Sequence, residues 1–336
     1  MCAMKLTGAT IVALSSMFQT AHAGETPNVD WGGKMYAHWG LDVSDMGTDS
    51  EESPAQEFEV DRLYLTAKSD ITDEVSIRVT TDAGRTDDAK LELFLKYAYI
   101  ETAVNSDIKV RLGAAATPWI GKTEKFWGHR FVAKSFTDSQ NLLSSSDLGV
   151  HAEGGHKGGL ITWQAGLMNG EGSGSLDDDP AKSAQARVSV DPLASNEGQK
   201  LPISLFVAQD LFNLADDDPS TMFAGGTGWS GGPAVIWFEG VMEKEGERTG
   251  QGYSATAVAK VPKVANLFFR LDNFDPDIET ESDLRTAMLG GVSRQFVKGV
   301  LGALSVEHSS SETVDENGRS DTECETGVFA RMEARF

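Results

Sequence analysis

The sequence predicts an all-β fold, a 16-stranded antiparallel transmembrane β-barrel with short periplasmic turns, long outer loops and a third outer loop folded inward. Three observations predict it. Apolar and polar residues alternate with a period of two through segment after segment, and the charges keep to one phase. Once the first 23 residues are set aside, no run of about 18 apolar residues remains, so a chain that crosses a membrane here must do so as a closed barrel. The connections alternate between tight turns and long polar loops, as strands running up and down through a bilayer require.

The chain has 336 residues, with 29 Lys plus Arg against 51 Asp plus Glu, a net charge of -22 and two cysteines. That balance excludes a basic nucleic-acid binder, and the cysteine count excludes a disulfide-stapled scaffold. Residues 1–23 read as a signal peptide. Lys5 supplies the charge, an apolar stretch runs over 6–18, and Ala21-His22-Ala23 places small residues at a cleavage point. No small-residue-then-Cys lipidation pattern precedes that point. Cleavage removes one Lys and no acid, leaving a barrel domain over 24–336 with charge -23 and Cys324 as its lone cysteine.

Each element follows from its pattern. Met35, Ala37, Trp39, Leu41 and Val43 fall on one face, with Lys34, Tyr36, His38, Asp42 and Ser44 opposite. Leu63, Leu65 and Ala67 oppose Arg62, Tyr64, Thr66 and Lys68; Val75, Ile77 and Val79 oppose Ser76, Arg78, Thr80 and Asp82. Leu91, Leu93, Leu95, Tyr97 and Tyr99 are assigned to the lipid phase against Glu92, Lys96 and Ala98, and Ile108, Val110 and Leu112 oppose Lys109, Arg111 and Gly113. These five strands with no helical periodicity between them form a meander. Further strands are read at 148–154, 160–168, 181–190, 200–209, 233–242, 252–261, 267–274, 284–295, 301–308 and 324–336. Fifteen is an odd number. Short turns at 154–159, 191–199, 262–266 and 296–300 alternate with long loops at 46–56, 84–90, 118–146, 169–180, 243–251, 275–283 and 309–323, and the alternation fails only between 209 and 233. A strand at 220–229, weak in itself because of Gly225, Gly226 and Gly228, restores it and makes sixteen.

A soluble sandwich also alternates, but sixteen strands would need two such domains and no linker separates them. The polar phase carries Arg62, Lys68, Arg78, Lys96, Lys109 and Arg111, which are predicted to line a pore, while the opposite phase is nearly free of charge. Loop 118–146 is too apolar in its middle to be a solvated flap, with Trp119, Ile120, Phe126, Trp127, Phe131, Val132 and Phe136. Among these sit Lys122, Lys125, Arg130 and Lys134, read as a positive constriction that favours anions, or alternatively as cations that pair with lumen acids such as Asp82 and Glu92 and pin the loop. Gly170 to Gly174 reads as a mobile loop, since no helix follows it. His151 and His156, which could form a metal pair, have no Cys partner and read as solvated or lumen residues. The acid runs 177–179 and 216–218, which could bind Ca²⁺, lack the spacing of a closed cage and read as solvated loops. His38, His129 and His308 lie apart from one another, with no Ser–His arrangement. No catalytic residue, metal site or cofactor is assigned.

The run 58–85 (FEVDRLYLTAKSDITDEVSIRVTTDAGR), with LELFLKYAYIE at 91–101 and IKVRLGAAATPWIG at 108–121, resembles the bacterial outer-membrane porins of the phosphate-selective porin O and P family. WGHRFV at 127–132, DLGV at 147–150, NGEG at 169–172 and RLDNFDP at 270–276 add to it. The resemblance implies a sixteen-stranded homotrimeric barrel in the bacterial outer membrane, surrounded by lipid. It also implies passive diffusion of small hydrophilic solutes and ions with a modest, phosphate-like anion preference. The dense arginine ladder of the phosphate-selective members is not matched position by position. The last strand, amphipathic and ending in Phe336, resembles the signal that barrel-assembly machinery recognises. Two other readings stay open: an exported soluble β-sheet protein binding carbohydrate or a divalent metal, and a barrel enzyme with a rim Ser or Asp beside His.

Overall fold

The computed structural model describes residues 28–44, 54–85, 90–177, 180–211, 219–314 and 320–336; the leader and the acid run 216–218 lie outside them. Sixteen strands run in order β1 Asp30–Asp42, β2 Gln56–Asp70, β3 Val75–Arg85, β4 Leu91–Ala103, β5 Ile108–Ala116, β6 Ser146–His156, β7 Ile161–Met168 and β8 Lys182–Val190. They continue as β9 Ile203–Leu211, β10 Ser220–Gly231, β11 Ala234–Glu245, β12 Arg248–Val261, β13 Ala265–Asp275, β14 Arg285–Val297, β15 Val300–Val314 and β16 Ser320–Arg335. Each pairs antiparallel with its chain neighbour. β1 also pairs with β16, from Lys34 opposite Arg335 to Asp42 opposite Gly327, so the sheet closes on itself. A two-residue piece, Gln199–Lys200, pairs with the end of β10 and does not span.

The strand inferred only from parity is present as β10, and its glycines have a reason. On the inner wall a Cβ at Gly226 would stand 2.4 Å from the Trp237 ring, and one at Gly228 would stand 2.7 Å from it. Trp237 of β11 lies in the trough that the missing side chains leave.

Three expectations are corrected, the first being the long loop at 309–323, of which 309–314 and 320–323 are strand because β15 runs to Val314 and β16 begins at Ser320. Residues 243–251 are not a long loop: β11 and β12 run on to Glu245 and Arg248 and join through Gly246 and Glu247, with Gly246 at φ 59° in the left-handed region. Polar residues there mark strands that extend into water, not the absence of strand. Tyr97 and Tyr99 are not on the lipid face. The register between β3 and β4 shifts between Thr80 and Thr81, leaving Lys96 as an extra residue. That bulge inverts the phase, so both tyrosines line the interior cavity. A second bulge, between Tyr36 and Ala37, leaves Asp61 as the extra residue on β2. It turns Asp61 and Arg62 to the same side, where they bond His38 and Asp82.

The outer face carries exposed Leu65, Leu93, Leu95, Ile100, Leu112, Leu205, Phe238 and Leu304, the apolar band a lipid-facing surface requires. The inner wall is divided. From β9 to β15 it carries a packed apolar cluster of Phe206, Met222, Trp237, Val241, Val258, Phe268, Phe274 and Leu289, interleaved with buried Ser254, Thr256, Glu239, Arg270 and Asp272. From β1 to β6 it is polar and charged. Alternation is therefore weaker in the second half of the sequence, where large apolar residues such as Phe206, Trp237 and Phe268 enter the inner phase beside its polar ones.

Candidate functional site

What fills the apolar half is the long connection between β5 and β6. It carries a helix α1, Ile120–Trp127, and one helical turn α2, Phe136–Ser139. α1 stops at Gly128, whose φ of 65° is left-handed and whose N–H bonds the Glu124 carbonyl at 2.8 Å. Its buried positions Ile120, Thr123, Phe126 and Trp127 follow helical spacing and form one face. Trp119 is fully buried, and its indole Nε1–H donates to Glu239 at 2.9 Å. Phe126 stacks on Trp237 with centroids 4.7 Å apart, and Trp127 meets Phe268 edge-on at 5.9 Å. Phe136 sits over Gly252, where a Cβ would approach its ring to 2.9 Å. His129 bonds Ser293 Oγ at 2.9 Å through Nε2 and the Trp127 carbonyl through Nδ1, and burial holds its pKa below the ordinary histidine value. Arg187 donates to the Pro118 carbonyl at 2.8 Å, Gln164 to that of Ala116, and Arg270 to that of Lys134. The loop is therefore fixed to β7, β8, β11, β13 and β14, and a cavity remains between it and the wall of β1 to β5.

The ten cations singled out from the sequence separate into three groups. On the wall, Lys68, Arg78 and Lys96 line one cavity of about 510 Å³ beside the loop and have no carboxylate at ion-pair distance among the described residues. Arg78 lies over the Tyr97 ring at 4.5 Å, and Lys96 bonds Ser145 Oγ. A second group is neutralised. Arg62 pairs with fully buried Asp82 at 2.9 Å, Lys109 with Glu101 at 2.8 Å, and Arg111 with Glu101 at 2.7 Å and Glu153 at 2.5 Å. Arg130 and Lys134 also belong here, held by acids of the loop itself. Arg130 bonds Glu124 at 2.8 Å and Asp138 at 3.1 Å, and Lys134 lies 4.0 Å from Asp138. The lumen acids Asp82 and Glu92, considered as their partners, do not serve as such among the described residues.

Lys122 and Lys125 form the third group. They open toward the short-turn rim with Lys109, Arg187, Lys200 and Lys260 around a cavity of about 660 Å³. Of the acids there, Glu153 is taken by Arg111, Asp191 accepts the N–H groups of Leu193 and Leu201, and Asp107 accepts from the Ser106 hydroxyl. Burial, with Arg187 and Lys125 adding like charge, brings the Lys122 ammonium down to about 8. Toward the long-loop rim acids predominate, with Asp147, Glu171, Asp210 and Glu243 around one cavity and Asp42, Glu57, Asp272, Glu307 and Glu325 around another. Of these Asp272 pairs with Arg270, Glu307 with Arg331 and Glu243 with Arg248.

The sequence did not single out Lys34, Arg187, Lys200, Lys260 or the tyrosines Tyr36, Tyr64, Tyr97 and Tyr99. Lys34 was legible, since it stands on the polar phase of β1. The two tyrosines of β4 were hidden by the bulge. Of the histidines, His38 bonds Asp61 at 2.8 Å, His308 bonds Thr326 at 2.9 Å, and no serine hydroxyl bonds His38 or His308 among the described residues. Fully buried His151 bonds the Asp147 carbonyl, and no group of three or more metal-binding side chains occurs among the described residues.

No described protein family and no curated protein sequence matches the chain. Solved structures do. An anion-selective porin from Comamonas acidovorans is 14% identical with a TM-score of 0.63, over 93% of this chain and 100% of that one. OprB of Pseudomonas putida gives a TM-score of 0.67 at 8% identity, over 98% and 97% of the two chains. OmpF of Salmonella typhi, in complex with daunomycin, gives 0.65 at 8% identity, over 92% and 98%. At these identities the likeness establishes a shared barrel fold.

Proposed function

We propose that the protein is a bacterial outer-membrane porin, a channel for passive diffusion of small hydrophilic solutes and ions with a modest preference for anions. One observation carries the preference: the passage left beside the inward loop is lined by Lys34, Lys68, Arg78 and Lys96, and its short-turn mouth by Lys122 and Lys125, none with a carboxylate partner among the described residues. An ion crossing the narrow zone comes within a few ångströms of these charges, in a site walled by low-dielectric protein where each interaction is strong. The acids of the other rim stand farther off and are screened beyond about 8 Å at physiological salt. The apolar outer band supports a lipid surrounding, against the soluble binding protein, and predicts that the extracted protein needs detergent. In this reading residues 1–23 are the export leader, short turns face the periplasm, and copies associate as a homotrimer, as the resemblance to O and P porins implies.

The test is the reversal potential in a planar bilayer under a KCl gradient. Anion preference is expected at about 0.15 M salt or higher, where the distant acids are screened. Lys122→Gln with Lys125→Gln should shift the potential toward cations without closing the pore. Arg130, held by Glu124 and Asp138, is left out of the variant. Clear cation selectivity of the unmodified channel would overturn the preference and leave the barrel standing.

A further inference from the structure

We propose that the inner wall of β1 to β4 binds polyhydroxylated organic anions, the chemical class of sugar acids. This rests on the channel reading above and adds to it the class of solute. Antiparallel pairing sets Lys68 beside Arg78, Thr66 beside Thr80 and Lys34 beside Tyr64, and on the next strand Arg78 beside Tyr99 and Thr80 beside Tyr97. Cations and hydroxyls therefore interleave on one surface around one cavity.

The cations Lys34, Lys68, Arg78 and Lys96 can each take an anionic oxygen. They only donate, however, and a hydroxylated solute must also donate its own protons to acceptors on the wall. The carboxylate of that cavity, Glu124, is committed to Arg130 at 2.8 Å, and burial raises its pKa above the ordinary carboxylate value. Phenol oxygens supply what is missing, since each both donates and accepts. Those of Tyr64, Tyr97 and Tyr99 have no hydrogen-bond partner among the described residues, although all three residues line the cavity. Arg78 covers the Tyr97 ring at 4.5 Å and Arg111 the Tyr99 ring at 5.4 Å, so these two tyrosines offer a solute their hydroxyl ends and not open aromatic faces. The Thr66 and Thr80 hydroxyls, bonded to each other at 2.9 Å, add a further polar step between the two rows of cations. An inorganic anion without protons of its own would use the cations and at most the donor side of the phenols, whereas a sugar acid also donates its hydroxyl protons to their oxygens.

The experiment titrates single-channel chloride current through the full-length protein with two anions of equal length and charge. One is 2,3,4-trihydroxybutyrate; the other is butyrate, which has no hydroxyl. The hydroxylated anion should block at a concentration lower by about 10-fold, the difference that one or two net hydrogen bonds make. Replacing Tyr64→Phe, Tyr97→Phe and Tyr99→Phe together removes three hydroxyls and keeps the rings, and should bring the two anions to equal potency. Heat-modifiable migration checks that this variant barrel has folded. Equal block by both anions in the unmodified channel overturns the proposal, as does a folded variant that keeps the full difference. The KCl reversal potential, read on the same channels, separates the two levels. A cation-selective channel sinks the anion reading itself, whereas an anion-selective channel blocked equally by both compounds sinks only the solute class.

Discussion

Lys122 shows how one side chain sets a property of the passage. It stands on α1, where burial and the like charges of Arg187 and Lys125 outweigh the opposing charge of Asp191 and bring its pKa down to about 8. A lysine loses its charge as pH rises through its pKa, so Lys122 is charged at pH 7 and largely neutral at pH 9. Anion preference should weaken between those values with a midpoint near 8, and Lys122→Gln should flatten that dependence; reversal potentials across the range test it. Selectivity unchanged from pH 7 to 9 would count against a role for this lysine. Gly226 acts through packing instead. A Leu there would displace Trp237 from its trough and with it the ring on which Phe126 stacks. Overpacking of this kind costs about 1–3 kcal/mol. Gly226→Leu should therefore lower the unfolding midpoint and make the single-channel current noisier as the loop loosens.

At the scale of the element, the strand is the unit that periodicity detects and the bulge is the unit that escapes it. LELFLKYAYI reads as an unbroken alternation because tyrosine counts as apolar, so nothing in the pattern marks Lys96 as the residue where the phase turns over. The pairing decides it: Ala98 opposes Val79 and Ala114 on the outer face, while Tyr97 faces inward. An Arg at Ala98 should cost about 2–4 kcal/mol if the site lies near the bilayer midplane, and less toward the interface. Tyr97→Gln should be nearly neutral, and folding titrations into lipid vesicles compare the two. Equal cost at both sites would restore the uninterrupted register. β10 was legible only through the parity of its neighbours, because Gly225, Gly226 and Gly228 give no periodic signal. The β11 to β12 hairpin was misread because charged strand ends and loops share a composition. In the candidate site the cations were plain in the sequence and their partners were not. Pairing of Arg130 to Glu124 depends on how a loop folds back inside a barrel, which no local pattern records.

The described barrel is a cylinder whose interior is filled on one side by the loop, and its seam joins the first strand to the last. Phe336 takes part in that seam: its N–H and carbonyl pair with Gly33 at 3.2 and 3.1 Å, and its ring covers Gly33 on the outside. Deleting Phe336 should lower the yield of folded protein in the outer membrane while export across the inner membrane continues, as fractionation and heat-modifiable migration would reveal. Unchanged yield would argue that the terminal residue is dispensable. The acids at one rim and the unpaired cations at the other also predict a salt effect. At about 0.01 M, where screening reaches only beyond 30 Å, the rim acids should oppose anion entry and the preference should shrink or reverse.

The filled side of the cylinder has a consequence in time. Trp119 is made 120 residues before the Glu239 it bonds, and His129 is made 164 residues before Ser293. A chain delivered amino end first therefore presents the aromatic face of this loop to water until the far wall arrives. Contacts so distant along the chain form slowly, and uncovered apolar surface invites aggregation meanwhile. The interval before the far wall is made is when the aromatic face of this loop is most exposed to aggregation.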